Sequence, residues 1–332
     1  MFGFSIERVK RVEFRKFFPF MLLTALCIIF TITNKRFFQL SNFMIIAQQM
    51  VVTLIAALGM TFIIVTGSVD LSVGSIVALS ALTTALTVPK FGVFAVIPAA
   101  AVGTLCGLLN GFVFTKGKVP SFIVTMGAMV SYRGLVLLIT HGAPVEIKDM
   151  TFIKTYAGRT FFNTPNSVLF SLCILFVMCY MFENFAFSRE VRAVGGSERV
   201  AKLTGIRVDR VKILVFVLFG LMAGLAGLFQ AARTYAATPT LGEGMELDVI
   251  AAVVVGGTPM SGGVGSVVGT LLGTFIIAVL SNGMNIMGLS SEIQQIAKGI
   301  VLILAVFATI DHKKISEVRR SEERRVGKEC RS

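Results

Sequence analysis

Charge is what this chain has least of. Only 15% of its 332 residues are Asp, Glu, Lys or Arg, against about 25% in an ordinary soluble domain. Hydrophobic residues make up 55%, and mean hydropathy is +0.83, which excludes a string of soluble domains. Acidic residues are scarcer still, 18 against 31 basic, for a net charge of +13. The basic residues gather at both ends and in one central stretch, the pattern of positive-inside loops and not of a nucleic-acid face. Two histidines and five cysteines (Cys27, Cys106, Cys173, Cys179, Cys330) show no metal-ligand spacing. Four of those cysteines fall in apolar runs, where Cys behaves as a small hydrophobe, so neither zinc nor a disulfide framework is indicated. No series of carboxylates or histidines crosses the apolar runs, which leaves a proton relay without members. No Ser-His-Asp, Cys-His or paired-carboxylate arrangement points to catalysis, and the chain reads as a non-enzyme. The first apolar run is followed by Asn34-Lys-Arg-Phe-Phe38 and not by an A-x-A site, so it reads as a retained span.

What remains is an all-α integral membrane protein, a polytopic bundle of about ten transmembrane helices, some short or broken. Candidate spans are 17–33, 43–66, 73–89, 92–114, 119–140, 167–186, 211–232, 247–258, 264–282 and 294–310. Each is near the roughly 20 residues a helix needs to cross, except 247–258. Ten spans beginning inside put 1–16, 115–118, 187–212 and the C-terminal tail in the cytoplasm. Those segments hold 22 basic residues and the opposite side 7, which favours both termini inside. The domain reading is a cytoplasmic basic N-terminus, 1–16; a transmembrane domain, 17–310; and a cytoplasmic tail, 311–332. The abruptly charged end, 321–332, reads as disordered or artefactual.

The central basic stretch, Ser188–Lys212, carries seven basic residues against three acidic ones. Within it Glu198, Ala201 and Gly205 are spaced to share one face of a short helix, with Gly205 as its C-terminal stop. A surface helix with a small-residue face reads as a docking element. Small residues also recur four apart at Gly103/Gly107, Gly220/Gly224, Gly265/Gly269 and Gly269/Gly273. In lipid such pairs let helix backbones approach, so tight packing is their expected role. Two echoes, Val102-Gly-Thr-Leu-Cys-Gly107 with Val268-Gly-Thr-Leu-Leu-Gly273, and Val73-Gly-Ser75 with Val264-Gly-Ser266, read as internal duplication.

Two stretches break the helical pattern at membrane depth. One is Val65–Ser75, with Asp70 among apolar neighbours; the other is Val255–Ser266, with Pro259 and five glycines. Unwound backbone in a membrane must be buried in protein or line a watery cavity, and it exposes amides and carbonyls to polar solutes. Plain loops at the inner surface, with Asp70 a solvated N-cap, are the alternative. The candidate translocation residues are therefore Gly67, Asp70, Ser72, Gly74, Asn110, Ser121, Gly256, Gly257, Thr258, Gly262, Gly263 and Asn282. Arg133, Gln294 and Lys298, also within spans, are expected to bond across helices.

Ile64–Ser75, Asn110-Gly111 followed by Val119-Pro-Ser-Phe-Ile-Val-Thr-Met-Gly127, and Val254–Ser266 resemble the permease subunits of bacterial ATP-binding cassette importers for monosaccharides of the ribose, xylose and arabinose type. Gly195–Ile206 is similar to that family's coupling loop, departing from its fuller E-A-A form at Arg199 and Val200. The resemblance runs over 15–315 and implies a multi-pass protein of the bacterial inner membrane. It implies a cytoplasmic ATPase docking on Glu198, Ala201, Gly205 and Ile206, an external binding protein delivering the sugar, and a second permease, identical or related. No Walker A sequence is present, so ATP is expected to be used by the partner and no cofactor by this chain. The alternative is a self-sufficient secondary transporter or channel for a small polar solute.

Overall fold

The computed structural model describes residues 19–160 and 164–309, so the N-terminal segment 1–16 and the tail 311–332 lie outside the described residues. In chain order the helices are α1 (Pro19–Thr33), α2 (Leu40–Val65), α3 (Val73–Phe91), α4 (Val96–Lys116), α5 (Ser121–Thr140), α6 (Met150–Tyr156), α7 (Asn166–Asn184), α8 (Ala186–Gly196), α9 (Glu198–Leu203), α10 (Val208–Thr234), α11 (Met245–Val255), α12 (Val267–Ile286) and α13 (Ser291–Thr309). Two-residue strands, β1 (Val145–Glu146) and β2 (Ala236–Ala237), pair antiparallel and tie the segment after α5 to the end of α10.

Among the described residues, six helices are long and apolar enough to cross a membrane, with Val73–Lys116 counted as one of 44 residues. At 1.5 Å per residue that stretch would be about 66 Å long, twice a bilayer's hydrocarbon core. It is in fact two helices. Pro89 withdraws an amide from the last turn of α3. Gly92 then takes a φ of +52, and a 3-10 turn over Gly92–Ala95 leads into α4.

The centre of the bundle is α2, buried almost throughout from Val51 to Val65, and α10, which packs against α2, α3 and α4. Lipid offers no hydrophobic drive between helices, so close backbone contact must hold them. The glycine pairs supply it. A Cβ on Gly103 would land on the Gly220 carbonyl and the Gly224 backbone, and one on Gly107 on the Phe216 carbonyl. A second seam joins α11 to α12, where Gly256 and Gly269 face each other's carbonyls and Gly273 abuts Ala252. Thr61 and Thr270 add a 2.7 Å hydrogen bond between α2 and α12.

The segment 187–212, expected as a loop, is largely helical. Ser188, Val191 and Val194 bury one face of α8, three residues apart, beneath the bundle. After α9 comes a Schellman-type close, in which Ile206 N donates to Ala201 O at 3.0 Å and Gly205 takes a φ of +86.

Candidate functional site

Between α2 and α3 the chain unwinds over 66–72 and runs beside α5. Val69 N donates to Ser121 Oγ at 3.4 Å and Leu71 N to Thr125 Oγ1 at 3.1 Å. Two extended residues and four helical ones advance by about the same 6–7 Å, so the segment climbs α5 in step. Asp70, 0% exposed, is its pin. Its Oδ1 accepts from Ser72 N at 2.7 Å and Ser72 Oγ at 2.6 Å, and its Oδ2 from Asn110 Nδ2 at 3.3 Å. Asn110 also donates to Ser72 Oγ at 2.9 Å and accepts from Tyr132 OH at 2.9 Å. The structure thus brings Asp70, Ser72, Asn110 and Ser121 into one group. Asp70 is no solvated N-cap: it is closed off by its own neighbours, a polar knot joining the unwound segment to α4 and α5.

A counterpart descends from the opposite end of the bundle. After β2 the chain is non-helical until Met245, and α11 then has 11 residues, about 16 Å or half a hydrocarbon core. Arg133, past the midpoint of α5, donates to Pro239 O and Leu241 O at 2.7 Å each. Pairing with backbone carbonyls is how an arginine at that depth is tolerated. This second unwound segment meets the first turn of α3 at Gly74 and Gly242, whose backbones touch so closely that neither position has room for a Cβ.

A third meeting point lies at the end of the bundle that carries α8. Gly263 N donates to Val65 O at 2.8 Å. Gly262 packs on Gly67, and a Cβ on Gly195 would collide with Val65 O and Gly263 N. Positive φ values at Gly67, Gly257, Gly262 and Gly263 make these turns glycine positions. Thr258 is buried beside Ser266, whose amide donates to Thr258 Oγ1 at 3.4 Å, while Gly256 belongs to the α11–α12 seam. Asn282 stands apart, about 22 Å along α12 from Val267 at its helical rise; it is buried, and its Oδ1 has no hydrogen-bond partner among the described residues.

The short helix α9 splits the four residues expected to dock a partner between its exposed and its covered sides. Ala201 is 2% exposed and turned into its own chain, while Glu198 and Gly205 are exposed. Glu198 is taken by Lys212, whose ammonium also lies 4.8 Å from the Phe114 ring centre. Lys116 and Asp209 make a similar tie at 3.0 Å between α4 and α10. The exposed large apolar residues of α9 are Val200, at 58%, and Leu203, at 81%. Gly205 shapes the exit, with Ile206 half-buried behind it.

Sequence reasoning missed Tyr132, which completes the Asp70 knot, and the ion pair between Lys298 and Asp248 at 2.7 Å. The available signal for the pair was one acid and one base in the last spans, since charges at that depth seek each other. Among the described residues no group of His, Cys, Asp and Glu could hold a metal ion.

The family profile described as branched-chain amino acid transport system / permease component matches residues 42–306. The ribose import permease protein of Bacillus subtilis (strain 168) is 40% identical over 312 residues, 92% of this chain and 96% of that protein. That of Escherichia coli (strain K12) is 39% identical over 299 residues, 88% of this chain and 92% of the relative. The xylose transport system permease protein of Escherichia coli (strain K12) is 31% identical over 369 residues, 92% and 93% of the two chains. No solved structure matches.

Proposed function

This chain belongs to the branched-chain amino acid transport system / permease component family, and from that membership we propose that it is the permease subunit of an ATP-binding cassette importer, forming the path for a simple sugar, a pentose or hexose. The family's description speaks of amino acids; the sugar follows from relatives 39–40% identical over nearly their whole length, both of them ribose import permeases. That near full-length identity is the observation that carries the reading.

The working unit needs a cytoplasmic ATPase, an external sugar-binding protein, and a second permease copy, identical or related. ATP is bound and hydrolysed by the ATPase, and no cofactor is assigned to this chain. Counting α3 and α4 separately gives seven crossings, and α1, the half-length α11 and α13 bring the count to ten. The membrane is the bacterial inner membrane, with both ends cytoplasmic, in keeping with the 22 to 7 split of basic residues. On this topology the basic N-terminus 1–16 and the tail 311–332 flank the membrane domain 17–310, and 321–332 carries no function.

The ATPase docks on α8 and α9, where exposed Val200 and Leu203 stand among Arg199, Lys202 and Arg207. Glu198 and Gly205 are exposed on the same surface, and Ala201 and Ile206 support it from behind. The sugar passes along the unwound segments, Gly67–Gly74 with Asn110 and Ser121, and Gly256–Gly263, which part as the bundle alternates between its two faces. Reconstitution of the chain in vesicles tests the reading: labelled ribose or xylose accumulates only when ATPase, ATP and loaded binding protein are all supplied. Accumulation by the chain alone, driven by an ion gradient, would instead identify a secondary transporter.

A further inference from the structure

A cavity of about 240 Å³ opens between α2, α11, α12 and α13, lined by residues including Gln49, Asp248, Ser281, Asn285, Gln294 and Lys298. It lies toward the end of the bundle away from α8. Gln49 is in the early turns of α2, Ser281 and Asn285 are in the last turns of α12, and Gln294 is in the first turn of α13. None of these residues belongs to the unwound segments or to the Asp70 knot. The volume equals roughly eight waters, a space for a small molecule within an otherwise tightly seamed bundle.

Its chemistry is specific. A sugar hydroxyl both donates and accepts, so a site for several of them needs both kinds of group converging. Gln49 brings a donor and an acceptor, Ser281 a hydroxyl and Lys298 an ammonium; Gln294 Nε2 donates to Asn285 Oδ1 at 2.8 Å and to the Leu289 carbonyl at 3.0 Å, which leaves the Gln294 carbonyl and the Asn285 amide N–H groups for a solute. Asp248 is the sharpest feature. Its Oδ2 accepts from Lys298 at 2.7 Å, while its Oδ1 is buried with no hydrogen-bond partner among the described residues. A carboxylate oxygen withdrawn from water and left unbonded costs about 1–3 kcal/mol or more, a cost that a hydroxyl donor in the cavity relieves once the carboxylate turns Oδ1 toward it. Lys298 is already neutralised by Asp248, which disfavours a second carboxylate or a phosphate as the natural occupant. Arg233, exposed at the end of α10, adds a positive charge to the lining.

We propose that this cavity is a binding subsite for a neutral polyol, a monosaccharide held through the Asp248–Lys298 pair and the surrounding amides before it reaches the unwound segments. The proposal rests on the sugar-importer reading above. The test uses the full chain assembled with its ATPase in lipid, with its native cysteines replaced and Ala278→Cys introduced on the cavity's apolar wall, in a preparation that still imports sugar when the binding protein is added. Without binding protein, labelling of that cysteine by a small methanethiosulfonate reagent is followed with D-ribose, D-xylose, inorganic phosphate or acetate present. One of the sugars should slow labelling roughly tenfold at about ten times its dissociation constant, where about one site in eleven is empty. Asp248→Asn should abolish that protection while ATPase stimulation by loaded binding protein persists. Labelling unaffected by either sugar in an importing preparation overturns the subsite and leaves the importer reading standing. Protection by phosphate or acetate in place of sugar also overturns it. An assembled complex that imports neither sugar counts against the parent reading.

Discussion

Replacing Asp70 by Ala separates a residue that holds the fold from one that merely lines a route. In the wild-type protein the carboxylate satisfies three donors: Ser72 N, Ser72 Oγ and Asn110 Nδ2. Asn110 Nδ2 keeps Ser72 Oγ as a second partner, so alanine strands chiefly the Ser72 amide and weakens the rest. A buried donor left unmade costs about 1–3 kcal/mol, and the loss of the hydroxyl's acceptor and of Asn110's second bond brings the total to roughly 2–5 kcal/mol. For a chain of this size that is an apparent Tm lower by roughly 5 °C or more. Asp70→Asn should cost much less. Its oxygen can keep both Ser72 donors, and Asn110 can turn its amide, because Tyr132 OH can then accept from Asn110 and donate to the Cys106 carbonyl 3.3 Å away. Thermal unfolding in detergent, followed by loss of the monodisperse peak, measures both variants beside sugar uptake. An Asp70→Ala chain with unchanged Tm and no uptake would refute the argument, for the carboxylate would then be serving the solute and not the unwound segment.

Other expectations are tested in the same preparations. Leu203→Asp should abolish co-purification of the ATPase and leave Tm nearly unchanged, as exposed positions do to within about 0.5 kcal/mol, whereas Ala201→Asp should lower Tm by burying a carboxylate. Gly107→Val and Gly220→Val should each force α4 from α10 and destabilise by about 1–3 kcal/mol or more, read as loss of folded protein in the membrane; equal yields would refute the seam. Lys298→Met leaves Asp248 buried and unpaired, at about 3–5 kcal/mol, and the combined exchange Asp248→Lys with Lys298→Asp should recover much of the lost Tm. A cysteine at Leu203 should react with impermeant reagent only from the cytoplasmic face, and reaction from outside would invert the topology.

The sequence made the long apolar helices, their order and the glycine seams legible because those signals are local: a run of apolar residues, or two glycines four apart. It also located both breaks, since Pro259 and the glycines around it cannot sustain a helix. It did not reveal what the breaks touch. Val69 and Leu71 climbing α5, Gly74 meeting Gly242, and Lys298 finding Asp248 are partnerships between distant segments, and spacing along one helix says nothing about them. For α9 the shared face of Glu198, Ala201 and Gly205 was readable, but a helical wheel does not say which face turns inward. Small side chains suit close packing against one's own chain as well as against a partner; Ala201 takes the first use, while Glu198 and Gly205 stay exposed.

Where Gly195, Val65 and Gly263 meet, three backbones rest on one another with no side chain between them. Side chains absorb displacement by changing rotamer; peptide planes do not. A shift of α8 by even a fraction of an ångström therefore has nowhere to dissipate and must reappear at the foot of α2 and in the turn between α11 and α12 together. The glycines that admit such intimacy also make the joint stiff, so a force applied at the basic surface arrives undiluted at two helices separated by nearly two hundred residues of chain.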